Sequence, residues 1–186
     1  METAESYLIL KTLPNEIQVD FEKLWGLHPD DKKSLIIHGS IVKTPRYSSN
    51  YGRSYNYSGI KDKALSIPDE LVPFLSFANA GNGWKYNQIL MNWYENGLHY
   101  IGPHSDSIRQ LRYGSSIMSI SLGESRVFRI RNKATNEITD IPLKDRTVVV
   151  MGGKFQQEFT HEIPKITGKK GLNVGRRISL TFRCFS

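Results

Sequence analysis

The chain has 186 residues, 39% of them hydrophobic and 23% charged, which bounds it to one ordinary globular domain with its own core. Its formal charge of +7, from 25 Lys+Arg against 18 Asp+Glu, and its pI near 9.5 favour contact with phosphate-bearing polymers. No stretch nears the roughly 18 apolar residues of a membrane span, the acidic start METAESYLILKTLP is wrong for a secretory signal, and a single cysteine, Cys184, excludes an internal disulfide framework. The chain therefore reads as intracellular and not secreted, in a reducing compartment such as cytoplasm or nucleus.

Taken in chain order, residues 14–27 (PNEIQVDFEKLWGL) place Ile17, Phe21, Leu24 and Trp25 at helical spacing, with Pro14 suited to a first turn. Residues 35–42 (LIIHGSIV) are rich in β-branched residues and read as a strand, and 44–59 (TPRYSSNYGRSYNYSG) as a polar, aromatic-dotted loop. A second helix is predicted from Pro68 through DELVPFLSFAN. From residue 86 the pattern turns to strands: YNQILMNWY, SSIMSISLG, RVFRIRN, EITDIPL, RTVVVMG and RRISLTFRCF, separated by Gly, Asn and Lys clusters. Short strands at this spacing predict a sandwich or barrel. Helices thus come first and a β-rich half follows, in a mainly β (α+β) chain without repeat or linker, read as one domain over 1–186. No exposed heptad or long edge pattern stands out, so a monomer is expected.

The chemistry concentrates in the second half. His104 and Asp106, in YIGPHSDS, are two apart; in extended chain both side chains point to one side, with Cα atoms roughly 6.6 Å apart, so an imidazole and a carboxylate can converge on one ion. Mononuclear iron oxygenases use two His and one carboxylate on one face of the metal and keep the other positions open. The second histidine available after more strand is His161, in FTHEIPK. Each motif alone also fits a bland role, Asp106 as a turn cap and His161 as a loop histidine.

RRISLTFRCF alternates cleanly. Ile178, Leu180, Phe182 and Cys184 share one face, and Arg177, Ser179, Thr181 and Arg183 the other. The apolar face belongs in the core, which leaves the arginine face looking into a cavity or into solvent. Six residues of strand separate the two arginines by roughly 20 Å, enough for both to lean in around a small dicarboxylate, and the guanidinium fork grips a carboxylate in a way lysine cannot. Asn92 and Tyr94, in LMNWYENG, repeat the two-apart spacing and are suited to orienting a carboxylate or keto group.

In this order the motifs resemble the AlkB family of iron(II)- and 2-oxoglutarate-dependent dealkylating dioxygenases, over about residues 35–185. The carrying residues are Asn92-x-Tyr94, Gly97, Ile101-Gly102-x-His104-x-Asp106, His161 within MGGKFQQEFTHEIPK, and Arg177-x-Ser179-Leu-Thr-Phe-Arg183. Upstream, Pro45-Arg46, Tyr51-Gly52 and YNYSG are similar to the family's nucleotide-recognition lid. The resemblance implies a double-stranded β-helix (jelly-roll) core over 86–186 with helices and lid in 1–85. It implies His104, Asp106 and His161 as iron ligands, and Asn92, Tyr94, Arg177, Ser179, Thr181 and Arg183 around 2-oxoglutarate. Arg46, Tyr55, Tyr57 and Ser58 would meet the substrate, Tyr57 stacking a flipped base against His104. The implied activity is oxidative demethylation of N-alkylated bases such as 1-methyladenine or 3-methylcytosine in DNA or RNA, consuming O2 and releasing formaldehyde, succinate and carbon dioxide. One departure is Ile108, where relatives that repair cationic bases usually carry an acid. Two other readings stand beside this one: the same iron chemistry on a protein or small molecule, and a non-catalytic nucleic-acid binding module.

Overall fold

The computed structural model describes residues 5–37, 40–57, 60–62, 64–81 and 83–186, with 35–37, 55–57 and 60–62 described by backbone alone. Along these residues the order is β1 (Tyr7–Thr12), α1 (Phe21–Gly26), β2 (Ser34–Ile37), β3 (Ser40–Lys43), β4 (Tyr47–Gly52), β5 (Tyr55–Tyr57) and β6 (Ile60–Asp62). A 3-10 turn (Asp69–Leu71) then leads into α2 (Val72–Asn79), followed by β7 (Gln88–Tyr94), β8 (Ile101–His104), β9 (Ile117–Gly123), β10 (Arg126–Asn132), β11 (Ile138–Leu143) and β12 (Thr147–Gly152). The chain closes with α3 (Phe155–Glu158), β13 (Phe159–Ile163), α4 (Gly168–Leu172) and β14 (Arg177–Arg183).

Two antiparallel sheets make the jelly-roll, a major one in the order β1-β12-β9-β14-β7-β4 and a minor one in the order β11-β10-β13-β8. The alternation of β14 sets the layering. Its Ile178, Leu180 and Phe182 join Ile89, Met91 and Trp93 of β7 in a core on one face of the major sheet, which Leu24 of α1 and Phe74 and Ala78 of α2 cover. The opposite face looks toward the minor sheet, where Tyr94, Ile117, Val149 and Met151 meet Phe128 and Ile163. All seven residues of β14 are buried, because both of its neighbours are strands and both of its faces are covered. The six strands read from residue 86 onward all form. The major sheet also takes β1 and β4 from the N-terminal part of the chain.

Three early expectations are corrected. The helix expected over 14–27 spans only Phe21–Gly26, since Asp20, in extended conformation, caps it by accepting from the Lys23 amide. The turn before it is held instead by Arg146, whose guanidinium donates to the carbonyls of Leu13, Pro14 and Ile17. The single strand expected over 35–42 is a hairpin of β2 and β3, with His38 and Gly39 outside the described residues. The loop expected over 44–59 contains β4, which pairs with β7 from Tyr47↔Trp93 to Gly52↔Gln88. Its buried Ser48, Ser49 and Asn50 carry no apolar alternation.

Gly97, one of the motif residues, is explained by a close approach. Its amide donates to the Gly171 carbonyl at 2.8 Å and its carbonyl accepts from Ile166 at 2.8 Å. A Cβ on Gly171 would lie 1.9 Å from the Ile166 carbonyl oxygen, whereas one on Gly26 would meet nothing within 4 Å. Gly171→Ala is therefore expected to lower stability by about 1–3 kcal/mol in urea denaturation, and Gly26→Ala to leave it unchanged or raise it by up to about 1 kcal/mol.

Candidate active site

β8 and β13 pair so that His104 and His161 are direct cross-strand partners, their ring centroids 4.3 Å apart. Asp106 follows two residues beyond β8, and the ligand atoms of His104, Asp106 and His161 all lie within 4.8 Å of one another. The His104 Nδ1 sits 2.9 Å from the Gly102 carbonyl, which can only accept, so Nδ1 carries the proton and Nε2 keeps a lone pair for a metal. His161 is packed against Phe128 and Phe155, and its Nδ1 is buried without a hydrogen-bond partner.

The protonation states suit a metal. Burial pushes His161 down to about 4, an effect that the Asp106 charge only partly opposes, so the imidazole is neutral. Burial works the other way on Asp106, raising it. The attraction of Arg183, then of His161 and His104, outweighs that and brings its carboxyl to about 2. Two imidazoles and one carboxylate, all on one side of a small space, are the donor set of a mononuclear iron centre. The residues fit the ion.

The carboxylate is itself positioned. Arg183 Nη2 donates to Asp106 Oδ1 at 2.7 Å in a pair that is almost wholly buried. Arg183 Nη1 reaches Gln88 Oε1 at 3.3 Å, and Gln88 Nε2 continues to Asn50 Oδ1 at 2.9 Å. The Asp106 amide donates to Gln156 Oε1 at 2.8 Å.

Six residues down the same strand face, Arg177 is 1% exposed. Its Nε donates to Ser121 Oγ at 2.8 Å and its guanidinium carbon lies 4.9 Å from the Tyr94 ring centre. Nη1 is buried with no hydrogen-bond partner, and no carboxylate pairs with this cation among the described residues. Burial lowers its pKa, Tyr94 opposing. A desolvated guanidinium in that state is a receptor for an incoming anion.

Between triad and cation runs a cavity of about 530 Å³, counted with the part that opens to solvent. His104, Asp106 and His161 line it, and so do Asn92, Tyr94, Arg177, Ser179, Thr181 and Arg183. Register explains the convergence: Tyr94 faces Arg177 and Asn92 faces Ser179 across β7 and β14. Arg46 is turned toward this site, its Nε donating to Asn92 Oδ1 at 2.9 Å and Nη1 reaching the Tyr100 carbonyl at 3.4 Å. Tyr55 and Tyr57 lie on β5, where only the backbone is described, and Ser58 lies outside the described residues.

Sequence reasoning missed four contributors. Ser119, at 3.4 Å from both Ser179 and Thr181, and Ser121 occupy the polar face of SISLG, and the period-2 pattern could have found them. Gln156 carries no local signal. Arg126, 3% exposed, also reads as an ordinary strand residue. It donates to the carbonyls of Asn96, His99 and Pro164, with its guanidinium carbon 5.8 Å from the centre of the Tyr94 ring.

A jelly-roll with a two-histidine, one-carboxylate cluster and a buried cation for an acid defines the class of 2-oxoglutarate-using iron oxygenases. Residues 26–183 match the 2OG-Fe(II) oxygenase superfamily, and the chain belongs to it; the family uses iron(II), 2-oxoglutarate and dioxygen. Within it the chain is homologous to the AlkB-type demethylases. It is 29% identical over 195 residues to the DNA oxidative demethylase ALKBH2 of Homo sapiens, covering 96% of this chain and 72% of that protein. The Bos taurus ALKBH2 is 30% identical over 194 residues, covering 95% and 67%. The alpha-ketoglutarate-dependent dioxygenase alkB homolog 3 of Bos taurus is 28% identical over 174 residues, covering 88% and 59%. The solved structure of OsALKBH1 shares the fold, with a TM-score of 0.59 at 18% identity over 95% of this chain and 97% of that one. No helix among the described residues is long and apolar enough to cross a membrane.

Two substitutions separate the two arginines. Arg177→Met is expected to abolish the thermal stabilisation that 2-oxoglutarate confers, while the ligand-free protein gains on the order of 1–3 kcal/mol from losing a buried, unpaired cation. Asp106→Ala instead removes the carboxylate paired with the buried Arg183, and should cost the metal-free protein about 3–5 kcal/mol in chemical denaturation.

Proposed function

We propose that this oxygenase oxidatively demethylates N-alkylated bases in DNA or RNA, acting as a monomer. The observation that carries the reading is that one cavity is lined both by the His104–Asp106–His161 cluster and by the under-satisfied Arg177. The net charge of +7 supports a polyanionic substrate, and relatives named for DNA demethylation make it the favoured one.

In this reading His104 Nε2, the Asp106 carboxylate and His161 hold iron(II). Arg177, assisted by Tyr94 and Ser121, takes the far carboxylate of 2-oxoglutarate in a charge-assisted hydrogen bond. Asn92, Ser179 and Thr181 line the space between and orient the rest of the molecule. Iron bound there with 2-oxoglutarate and dioxygen supplies oxidation of an N-methyl carbon, yielding succinate, carbon dioxide and formaldehyde. Arg183 keeps Asp106 ionised and aimed, and Phe128 and Phe155 restrict solvent around His161. The β5–β6 hairpin of the N-terminal part serves in this reading as the nucleotide lid, with Tyr55, Tyr57 and Ser58 assigned to the flipped base and Arg46 to its phosphate.

The test is anaerobic reconstitution with iron(II) and 2-oxoglutarate, followed by oxygen and a panel of methylated oligonucleotides. The mass of one lesion is expected to fall by a methyl group as succinate and formaldehyde accumulate, with His161→Ala abolishing all three. Succinate without any change in the oligonucleotides would leave the oxygenase standing and overturn the nucleic-acid substrate in favour of a protein or small molecule. Nucleic-acid effects that survive His104→Ala would mark a binding module instead.

A further inference from the structure

Residues 107–116 join β8 to β9 directly after Asp106, and the chemistry described above does not use them. The segment is pinned from beneath by the last residues of the chain. Leu111 bridges Phe185 and packs into the inter-sheet core. The Arg112 amide donates to the Cys184 carbonyl at 2.8 Å and the Ser186 amide to the Gln110 carbonyl at 3.1 Å. Two turns shape it, Leu111 N to Ile108 O at 3.2 Å and Ser115 N to Arg112 O at 3.0 Å. Gly114 at φ 77° and the Ser115 hydroxyl on the same Arg112 carbonyl complete the second.

With the backbone so fixed, Ile108, Arg109, Arg112 and Tyr113 face outward. Tyr113 is 88% exposed and Ile108 47%. No ion pair involves the Arg109 or Arg112 side chain among the described residues. A fixed loop showing one aromatic ring, one aliphatic side chain and two unneutralised guanidiniums has the composition of a surface for unpaired nucleotides. Bases stack on the ring and phosphates meet the cations.

Its location is equally specific. Asn87 exchanges two side-chain hydrogen bonds with the Phe185 backbone, both at 2.9 Å, and its own carbonyl accepts from the Arg53 amide at 2.9 Å. Arg53 lies at the base of the β5–β6 hairpin, so the hairpin base and the 107–116 loop are anchored to the same C-terminal tail. That tail follows Arg183, the partner of Asp106.

We infer that the 107–116 loop is a second nucleic-acid contact that holds the nucleotides flanking the one in the cavity, with Tyr113 stacking on a base and Arg109 and Arg112 on phosphates. The occupant is a single-stranded flank, because a ring at a loop tip can stack on a splayed base but not on one enclosed in a duplex. The inference rests on the nucleic-acid reading above.

The experiment compares kcat/KM on a single-stranded methylated oligonucleotide with kcat/KM on the matching free nucleoside, using the iron-loaded full chain. Tyr113→Ala is expected to lower the oligonucleotide-to-nucleoside ratio about tenfold, and Tyr113→Phe to restore it. Arg109→Gln with Arg112→Gln should flatten the salt dependence of oligonucleotide binding by about 1.4 units of slope. Variants with wild-type ratio and slope would overturn the loop assignment while leaving the substrate reading intact. A wild-type protein that acts on duplex alone would overturn the single-stranded occupant. A wild-type protein that binds no oligonucleotide would remove both readings together.

Discussion

Two guanidinium groups buried on one face of β14 set the terms for the rest of the structure. Taking such a charge out of water costs several kcal/mol unless something answers it. Arg183 is answered within the chain by Asp106 at 2.7 Å. Among the described residues Arg177 meets the Ser121 hydroxyl and Tyr94, and no carboxylate reaches it. The answered cation keeps the Asp106 carboxylate ionised, and the unanswered one is the group we propose for the acid of the cosubstrate. Both ends of the reaction space are thus measured out along one strand.

The two sheets divide the work. Arg177, Arg183 and the hydroxyl-bearing residues between them come from the major sheet, where β14 is paired on both sides over nearly its whole length. Both imidazoles come from the minor sheet as direct partners across β8 and β13. A one-residue slip in that pairing would turn His161 to the opposite face, and the ladder with β10, in which Ile130 faces His161, guards against it. Asp106, on the segment leaving the minor sheet, is where the two halves meet, since its partner Arg183 belongs to the major one. The site is therefore assembled only when the sheets close on each other.

Much of this was legible from the sequence because the strands concerned alternate. RRISLTFRCF separates its arginines from its apolar residues at period 2, so the residues on both faces could be named before any contact was known. The triad was legible through spacing and through its resemblance to a known family. What escaped has a common cause. Asp20 and Arg146 override the helical pattern of 14–20 with backbone hydrogen bonds that no periodicity carries. Gln156 acts through a single amide contact from a helix of four residues. The expected loop at 44–59 hides β4 because Ser48, Ser49 and Asn50 are buried beside Tyr51, and a hydrophobic pattern cannot see a strand whose buried side chains are mostly polar.

That polar strand connects the remaining parts. Asn50 of β4 accepts from Gln88 of β7, Gln88 accepts from Arg183 of β14, and Arg183 donates to Asp106. Hydrogen bonds in such a dry chain reinforce one another, and leaving a buried member unsatisfied costs more than one such bond contributes. β4 is the edge of the major sheet and leads directly into the β5–β6 hairpin, so the strand that carries the hairpin is tied, through three buried side chains, to the carboxylate at the metal site. An apolar β4 would have been simpler to bury and easier to read, but it would have taken the Asn50 acceptor from Gln88 Nε2 and left Arg183 less firmly held. The property that concealed this strand in the sequence is the one that ties it to Asp106.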